Sequence, residues 1–255
     1  MAILEVRNLS KNFGGLMANR DLDLDVEEAE IRGVIGPNGA GKTTFFNVIS
    51  GVCKPSSGSI KFDGKDISSL SPDKIAELGV VRTFQRVALY PDFTVLENVN
   101  IGRHLHSREN LFSAVFGGTR KLEEKNLEKS KQIVDFLGMS AYQDEVASNL
   151  PYGLQRALNV AIALATEPRL LMLDEPVAGM NPTETQEMTR IIRLIRDEMG
   201  MTVMLVEHDM RTVMNLCDKI TVIDFGEKLA EGLPHEIREN KDVIEAYLGA
   251  EEIVA

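Results

Sequence analysis

The chain lacks several features that would assign it to common classes. No window approaches the ~20 apolar residues that a membrane-spanning helix needs, so none is expected. The N-terminus, Met-Ala-Ile-Leu-Glu-Val, has no basic segment and no cleavable apolar one, so no signal peptide is expected. Cysteine is scarce. Cys53 and Cys217 stand far apart without metal-ligand spacing, which reads as two reduced thiols in a cytosolic protein. Basic charge is outnumbered, leaving a net −11. A general nucleic-acid binder draws its affinity from neutralised phosphates, so nucleic acid is not an expected partner. The chain has no Asn-Lys-x-Asp to read a guanine, no internal repeat and no low-complexity stretch.

What is present is a phosphate-binding loop. Gly36-Pro37-Asn38-Gly39-Ala40-Gly41-Lys42-Thr43 fits G-x-x-x-x-G-K-[ST] without a mismatch. Residues 31–35 before it read as a short buried strand, and Thr43 to Ser50 after it suits a helix. In that context the backbone N–H groups turn inward as an anion site, and the helix N-terminus adds partial positive charge. Lys42 can reach the outer phosphates of a nucleoside triphosphate. The Thr43 hydroxyl can ligate Mg²⁺, with Thr44 beside it. An acidic chain must hold that anion by local geometry and a few cations.

The length of 255 residues suits one large or two modest domains, and 44% hydrophobic residues supply a core. Strands are expected at Ile3 to Leu9, Asp21 to Val26, Ser59 to Asp63 and Val80 to Phe84. Asp21 to Val26 alternates strictly, which places its aspartates in water. From Thr94 to about Ala165 the period is helical, opened by a capping box at Thr94-Val95-Leu96-Glu97. Residues 103–118 read as a loop around the apolar island Leu111 to Phe116. A charged helix follows from Arg120 to Leu137, apolar at Leu127, Ile133, Val134 and Leu137, and another from about Leu154 to Thr166. Alternation then returns: strand 169–173, helix 182–199, strand 202–206, helix 210–216, strand 219–224, and short helices within 234–249. The strands at 31, 80, 169 and 202 can share one sheet, so the helical middle reads as an insertion into a parallel α/β core.

Four apolar residues, Leu170 to Leu173, deliver Asp174 and Glu175. A carboxylate at the C-terminal end of a buried strand lies where ligands bind in such sheets. Asp174 suits Mg²⁺, and Glu175 suits a base or orienting group for water aimed at the γ-phosphate. His208 follows another strand and can hold a phosphate oxygen or that water. From position alone it is equally an ordinary strand-end histidine. Gln85, at the end of Val80 to Phe84, is by itself either solvated surface or a weak metal ligand. Phe13, in Lys11-Asn12-Phe13-Gly14-Gly15, is either core or a purine-stacking ring.

Together these residues resemble the nucleotide-binding subunit of an ABC transporter, in order and over essentially the whole chain. The pieces are Phe13, the loop 36–43, Gln85, Leu150-Pro151-Tyr152-Gly153-Leu154-Gln155, the strand 170–175 and His208. Asn12 to Leu16, Val81 to Gln85, Ala178-Gly179-Met180-Asn181-Pro182 and the ending Val243 to Gly249 are similar to ATPase subunits of branched-chain amino acid importers. Urea and short-amide importers have very similar subunits. The resemblance implies a P-loop NTPase fold, RecA-like, with a parallel core, an N-terminal antiparallel β subdomain and an inserted helical subdomain. The core would take about 1–88 and 166–255, and the helices about 89–165.

It further implies ATP and Mg²⁺ as cofactors, with Thr43, Gln85 and Asp174 at the metal. Glu175 becomes the base, His208 the switch histidine, Gln85 the Q-loop residue and Phe13 the adenine-stacking ring. Leu150 to Gln155 would form the signature acting on a partner's ATP, and Ala178 to Asn181 the D-loop. The implied partners are a second ATPase subunit, identical or a sister, membrane permease subunits and, indirectly, a periplasmic or extracellular binding protein. The implied location is the cytoplasmic face of the plasma membrane, as a peripheral subunit. Three departures stand out. The usual signature L-S-G-G-Q appears with Pro151 for serine, which implies weakened contact. The usual D-loop acid is Asn181. Ala157 and Ile162 stand where arginines are frequent. A stand-alone P-loop kinase or GTPase, or a DNA-repair ATPase, leaves the helical insertion or the acidic single cassette unexplained.

Overall fold

β1 (Ala2–Phe13) and β2 (Leu16–Glu27) form a hairpin. The other edge of β1 pairs with β4 (Ser57–Phe62), which pairs with the short β5 (Lys65–Asp66), all antiparallel. The structure, a computed structural model, describes residues 2–83, 89–103 and 118–252. Gln85, Phe84 and the loop expected around 111–116 lie outside the described residues. The alternation expected at Asp21 to Val26 is present: Leu22, Leu24 and Val26 are buried while Asp21 and Asp23 are exposed.

The second sheet holds β3 (Ile31–Ile35), β6 (Val80–Arg82), β7 (Leu170–Asp174), β8 (Thr202–Val206), β9 (Lys219–Asp224) and β10 (Glu227–Gly232). Its order is β10-β9-β3-β8-β7-β6, parallel except at the β10 edge. Alternate residues serve two cores. Val34, Leu170, Met172 and Met204 join the antiparallel sheet and Phe45 and Phe46 of α1 (Lys42–Ile49). Ile35, Leu171, Leu173 and Leu205 join the helices on the other face. Burial on both faces is why these strands read as unbroken apolar runs.

Among the described residues three α-helices lie between β6 and β7: α3 (Val95–Gly102), α4 (Gly118–Phe136) and α5 (Tyr152–Ala165). The expected capping box is formed. Glu97 N–H donates to Thr94 Oγ1 at 3.2 Å, and Thr94 N–H donates to Glu97 Oε2 at 2.8 Å. α3 crosses α5 so closely that a Cβ on Gly102 would lie 2.4 Å from Ile162 O. One expectation fails here: Leu127 is 40% exposed. The buried stripe of α4 runs one residue away, through Asn126, Ser130, Ile133 and Val134. Its polar members are satisfied, Ser130 Oγ donating to Asn126 O at 2.9 Å. An apolar count therefore misplaced the stripe.

α6 (Pro182–Met199) buries Met188, Ile191, Ile192 and Ile195, as its spacing predicts. α7 (Met210–Leu216), α8 (Pro234–Glu239) and α9 (Lys241–Glu252) complete the chain's described part. Three elements had no expectation: β5, β10 and α2 (Pro72–Glu77). Each is too short or too polar to display a period.

Candidate functional site

The loop 36–41 joins β3 to α1, and at Gly36 and Gly41 its neighbours leave no room for a side chain. Gly36 has φ 152°, and a Cβ there would lie 1.9 Å from Ile223 O. Gly41 has φ 101°, with Ala18 O at 2.3 Å from such a Cβ, and Asn19 Nδ2 donates to Gly41 O at 3.1 Å. Lys42 curls across the loop, its Nζ donating to Gly36 O at 2.7 Å and Pro37 O at 2.8 Å. Burial pulls the Lys42 amine below its usual value, and the Glu175 carboxylate opposes that shift. Ala40 is buried, while Asn38, Gly39 and Thr43 are exposed, with Pro37 and Thr44 between.

The strand ends beside this loop supply the acids and the histidine. Asp174 ends β7, buried, with its Oδ2 accepting from Arg82 Nη2 at 2.7 Å. Glu175 follows with φ 48°, a left-handed conformation that is costly for a non-glycine residue. Its N–H donates to Val206 O at 2.9 Å, which anchors that conformation to β8. His208 Nδ1 lies 3.9 Å from Glu175 Oε1, and its side chain is 60% exposed. So Lys42, Asp174, Glu175 and His208 gather at the C-terminal ends of the adjacent strands β3, β8 and β7, the position where such sheets bind ligands.

The donor set suits a hard cation held with a nucleotide. Thr43 offers a hydroxyl and Asp174 a carboxylate. No group of three or more His, Cys, Asp or Glu able to hold a metal occurs among the described residues. Mg²⁺ is commonly held by one or two carboxylates plus substrate phosphates, not by an all-protein cage. Gln85, the third expected metal ligand, lies outside the described residues. Phe13 is half exposed at the β1–β2 hairpin, not in the core, with Lys11 Nζ 4.8 Å from its ring centre.

The signature and D-loop segments form one hydrogen-bonded unit. Arg156 Nε donates to the Tyr152 hydroxyl at 2.9 Å, which donates to Ala178 O at 3.1 Å. The Tyr152 ring covers Gly179, 3.5 Å from where a Cβ would sit. Gly153 N–H donates to Glu184 Oε1 at 3.2 Å, and Glu184 Oε2 accepts from Asn181 N–H at 3.0 Å. Asn181 in turn caps α6 through Thr183 and Glu184 N–H. Leu150 is buried and its carbonyl accepts from Gln155 Nε2 at 2.9 Å. Pro151 is exposed, Leu154 is half-buried, and Met180 N–H donates to Val177 O.

Sequence reasoning missed Arg82, Arg156, Glu184 and Glu207. Arg82 lies within the quoted Val81 to Gln85 run but received no role. The absence of arginine was read at Ala157 and Ile162, whereas Arg156 stands next to the first. A buried acid within an exposed-looking Glu-His-Asp triplet carries no linear signal.

The comparisons fit this geometry. The ABC transporter family profile matches residues 19–178, and a profile described as branched-chain amino acid ATP-binding cassette transporter matches 227–253. A high-affinity branched-chain amino acid transport ATP-binding protein, BraF, of Pseudomonas aeruginosa is 44% identical, covering 97% of this chain and 98% of its own. Its counterpart LivG of Escherichia coli is 42% identical over the same shares. The crystal structure of the ADP conformation of an ABC transporter's ATP-binding cassette superposes with a TM-score of 0.86 at 32% identity, covering 98% of this chain and 99% of that one.

Proposed function

The chain belongs to the ABC transporter ATP-binding family, and on that premise we propose that it hydrolyses ATP to drive an importer of branched-chain amino acids. The observation that carries the reading is the convergence of Lys42, Asp174, Glu175 and His208 at neighbouring strand ends, with His208 Nδ1 3.9 Å from Glu175 Oε1. The C-terminal match at 227–253 favours branched-chain amino acids over urea or short amides.

Each residue has a task in this reading. The backbone of 36–41 and the N-terminus of α1 receive the phosphates. Lys42 exchanges its bonds to Gly36 O and Pro37 O for phosphate oxygens. Thr43 and Asp174 hold Mg²⁺, which when bound supplies Lewis-acid charge at the phosphate oxygens. Glu175 orients and deprotonates the attacking water, and His208, beside it, steadies the γ-phosphate end. Gln85, which lies outside the described residues, would serve as a further ligand to that metal. α1 packs in the core between the two sheets and α5 in the core on the other face. That separation supports a head-to-tail pair, in which the signature residues 150–155 serve the ATP of a second ATPase subunit. Permease subunits and a binding protein complete the transporter. No helix of the described residues is long and apolar enough to cross a membrane, which suits a subunit docked on the cytoplasmic face.

The test is reconstitution. Vesicles holding the two permeases, both ATPase subunits and the binding protein should take up leucine only with ATP inside. Leucine uptake that persists without this chain would sink the proposal. Within the same reading the half-exposed Phe13 ring stacks on adenine. Phe13→Ala should weaken ATP binding by about five- to tenfold, from an aromatic contact worth about 1 kcal/mol. Phe13→Tyr should restore it. Equilibrium titration with a fluorescent ATP analogue measures both.

A further inference from the structure

We infer that Glu207 is a positioning residue that holds the His208 backbone and the Glu175 segment in register, an inference that rests on the roles proposed for those two residues. Glu207 directly follows β8 and is completely buried. Its Oε1 accepts from Val177 N–H at 2.9 Å, two residues beyond Glu175. Its Oε2 accepts from His208 N–H at 3.1 Å. One carboxylate thus links the loop leaving β7 to the loop leaving β8. The bond from Glu175 N–H to Val206 O is a second stitch across the same gap.

The other side of His208 is equally fixed. Asp209 caps α7, its Oδ1 accepting from Arg211 N–H at 3.0 Å and its Oδ2 from Thr212 Oγ1 at 2.7 Å. The His208 side chain is therefore free to meet a ligand while its backbone is clamped at both ends. Preorganisation of this kind keeps a catalytic group within the tolerance its geometry demands.

The residue type is informative. Among the described residues no lysine or arginine pairs with Glu207, and its one ionisable neighbour at ion-pair distance is His208, at 3.9 Å. Burial pushes its carboxyl above the usual range, and the N–H groups of Val177 and His208 oppose that. Burying an acid without a cation is costly, and the bonds from the Val177 and His208 N–H groups offset part of that cost. What a carboxylate alone supplies is two acceptors for two backbone donors. Glutamine has the same shape but one acceptor oxygen, and its NH₂ would face an N–H.

The test is the full chain, in its transporter complex, with Glu207→Gln, His208→Ala and the double variant. Glu207→Gln should lower kcat by about tenfold to a hundredfold, the scale of a small misplacement at a reacting centre. KM for ATP should stay within about threefold, because the phosphate loop is untouched. Glu207→Gln should cost less in the His208→Ala background than in the parent, since the part that acts through His208 is already lost and only the part that acts through the Glu175 segment remains. Glu207→Asp, which keeps both oxygens on a shorter stem, should recover part of the rate and serves if the glutamine variant does not fold. A folded Glu207→Gln with kcat within twofold of the parent overturns the inference, as does an additive double variant. If His208→Ala itself hydrolyses ATP at the parental rate, the role proposed for His208 fails instead.

Discussion

Glu175→Gln should abolish steady-state hydrolysis while leaving ATP bound. The expected loss in kcat is about 10²–10⁴-fold, the span of a general base positioned on its proton. Glutamine keeps the side chain's size and its place in a left-handed backbone anchored by the N–H bond to Val206 O. It loses only the charge and the ability to take a proton. Removing that charge also removes a carboxylate that acts on Lys42. The site becomes more positive where the triphosphate sits, so ATP affinity should hold or rise. With hydrolysis blocked, the phosphates continue to bridge two subunits. A stable ATP-dependent dimer should appear by light scattering, with nucleotide retained through gel filtration. Undiminished turnover would remove Glu175 from the role of base. Lost turnover together with lost ATP binding would show that the substitution damaged the phosphate loop.

Arg82→Met should unfold the protein at a much lower temperature, and Asp174→Asn added to it should restore much of that loss without restoring ATPase activity. The Arg82 side chain is 4% exposed and that of Asp174 10% exposed, with Nη2 and Oδ2 2.7 Å apart. Arg82 Nη1 also donates to Asn47 Oδ1 at 2.7 Å, and its guanidinium lies 5.6 Å from the Phe46 ring centre. Truncating one member of a buried pair leaves the other charge uncompensated, at a cost of about 3–5 kcal/mol. For a chain of this length that corresponds to a fall in Tm on the order of 10 °C. Asparagine at 174 carries no charge to strand, which is why the pair of substitutions should be milder than the first alone. It is also a poor metal ligand, so hydrolysis should stay lost. Thermal scans of the three variants decide the matter. A double variant no more stable than Arg82→Met would mean that packing on Phe46 and Asn47, not charge, sets the cost.

Much of the site was legible in linear order because its chemistry is local. The phosphate loop needs glycines at fixed offsets, and those at 36 and 41 sit where a Cβ would meet a backbone oxygen. Asp174 and Glu175 were legible because a buried apolar strand ending in two acids is itself a pattern. The capping box at Thr94, the whole of α6 and the strands β8 and β9 match their expected bounds for the same reason. Leu127 was misjudged because polar residues occupy the buried stripe of α4. Those polar groups bond both within α4 and to Asn100 and Arg103 at the end of α3, and the second set cannot be read from periodicity within one helix.

The sequence by itself determined the nucleotide loop, the acids, the histidine and the order of strands and helices, since each depends on residues within a few positions of one another. The tertiary structure alone decided what those residues lean on. Arg82 reaches Asp174, Glu207 reaches Val177, and Glu184 reaches Gly153, across gaps of 92, 30 and 31 positions. Such pairs are bonds between neighbouring strands and helices. Their strength comes from burial, which is a property of the folded whole and is written in no single stretch of the chain.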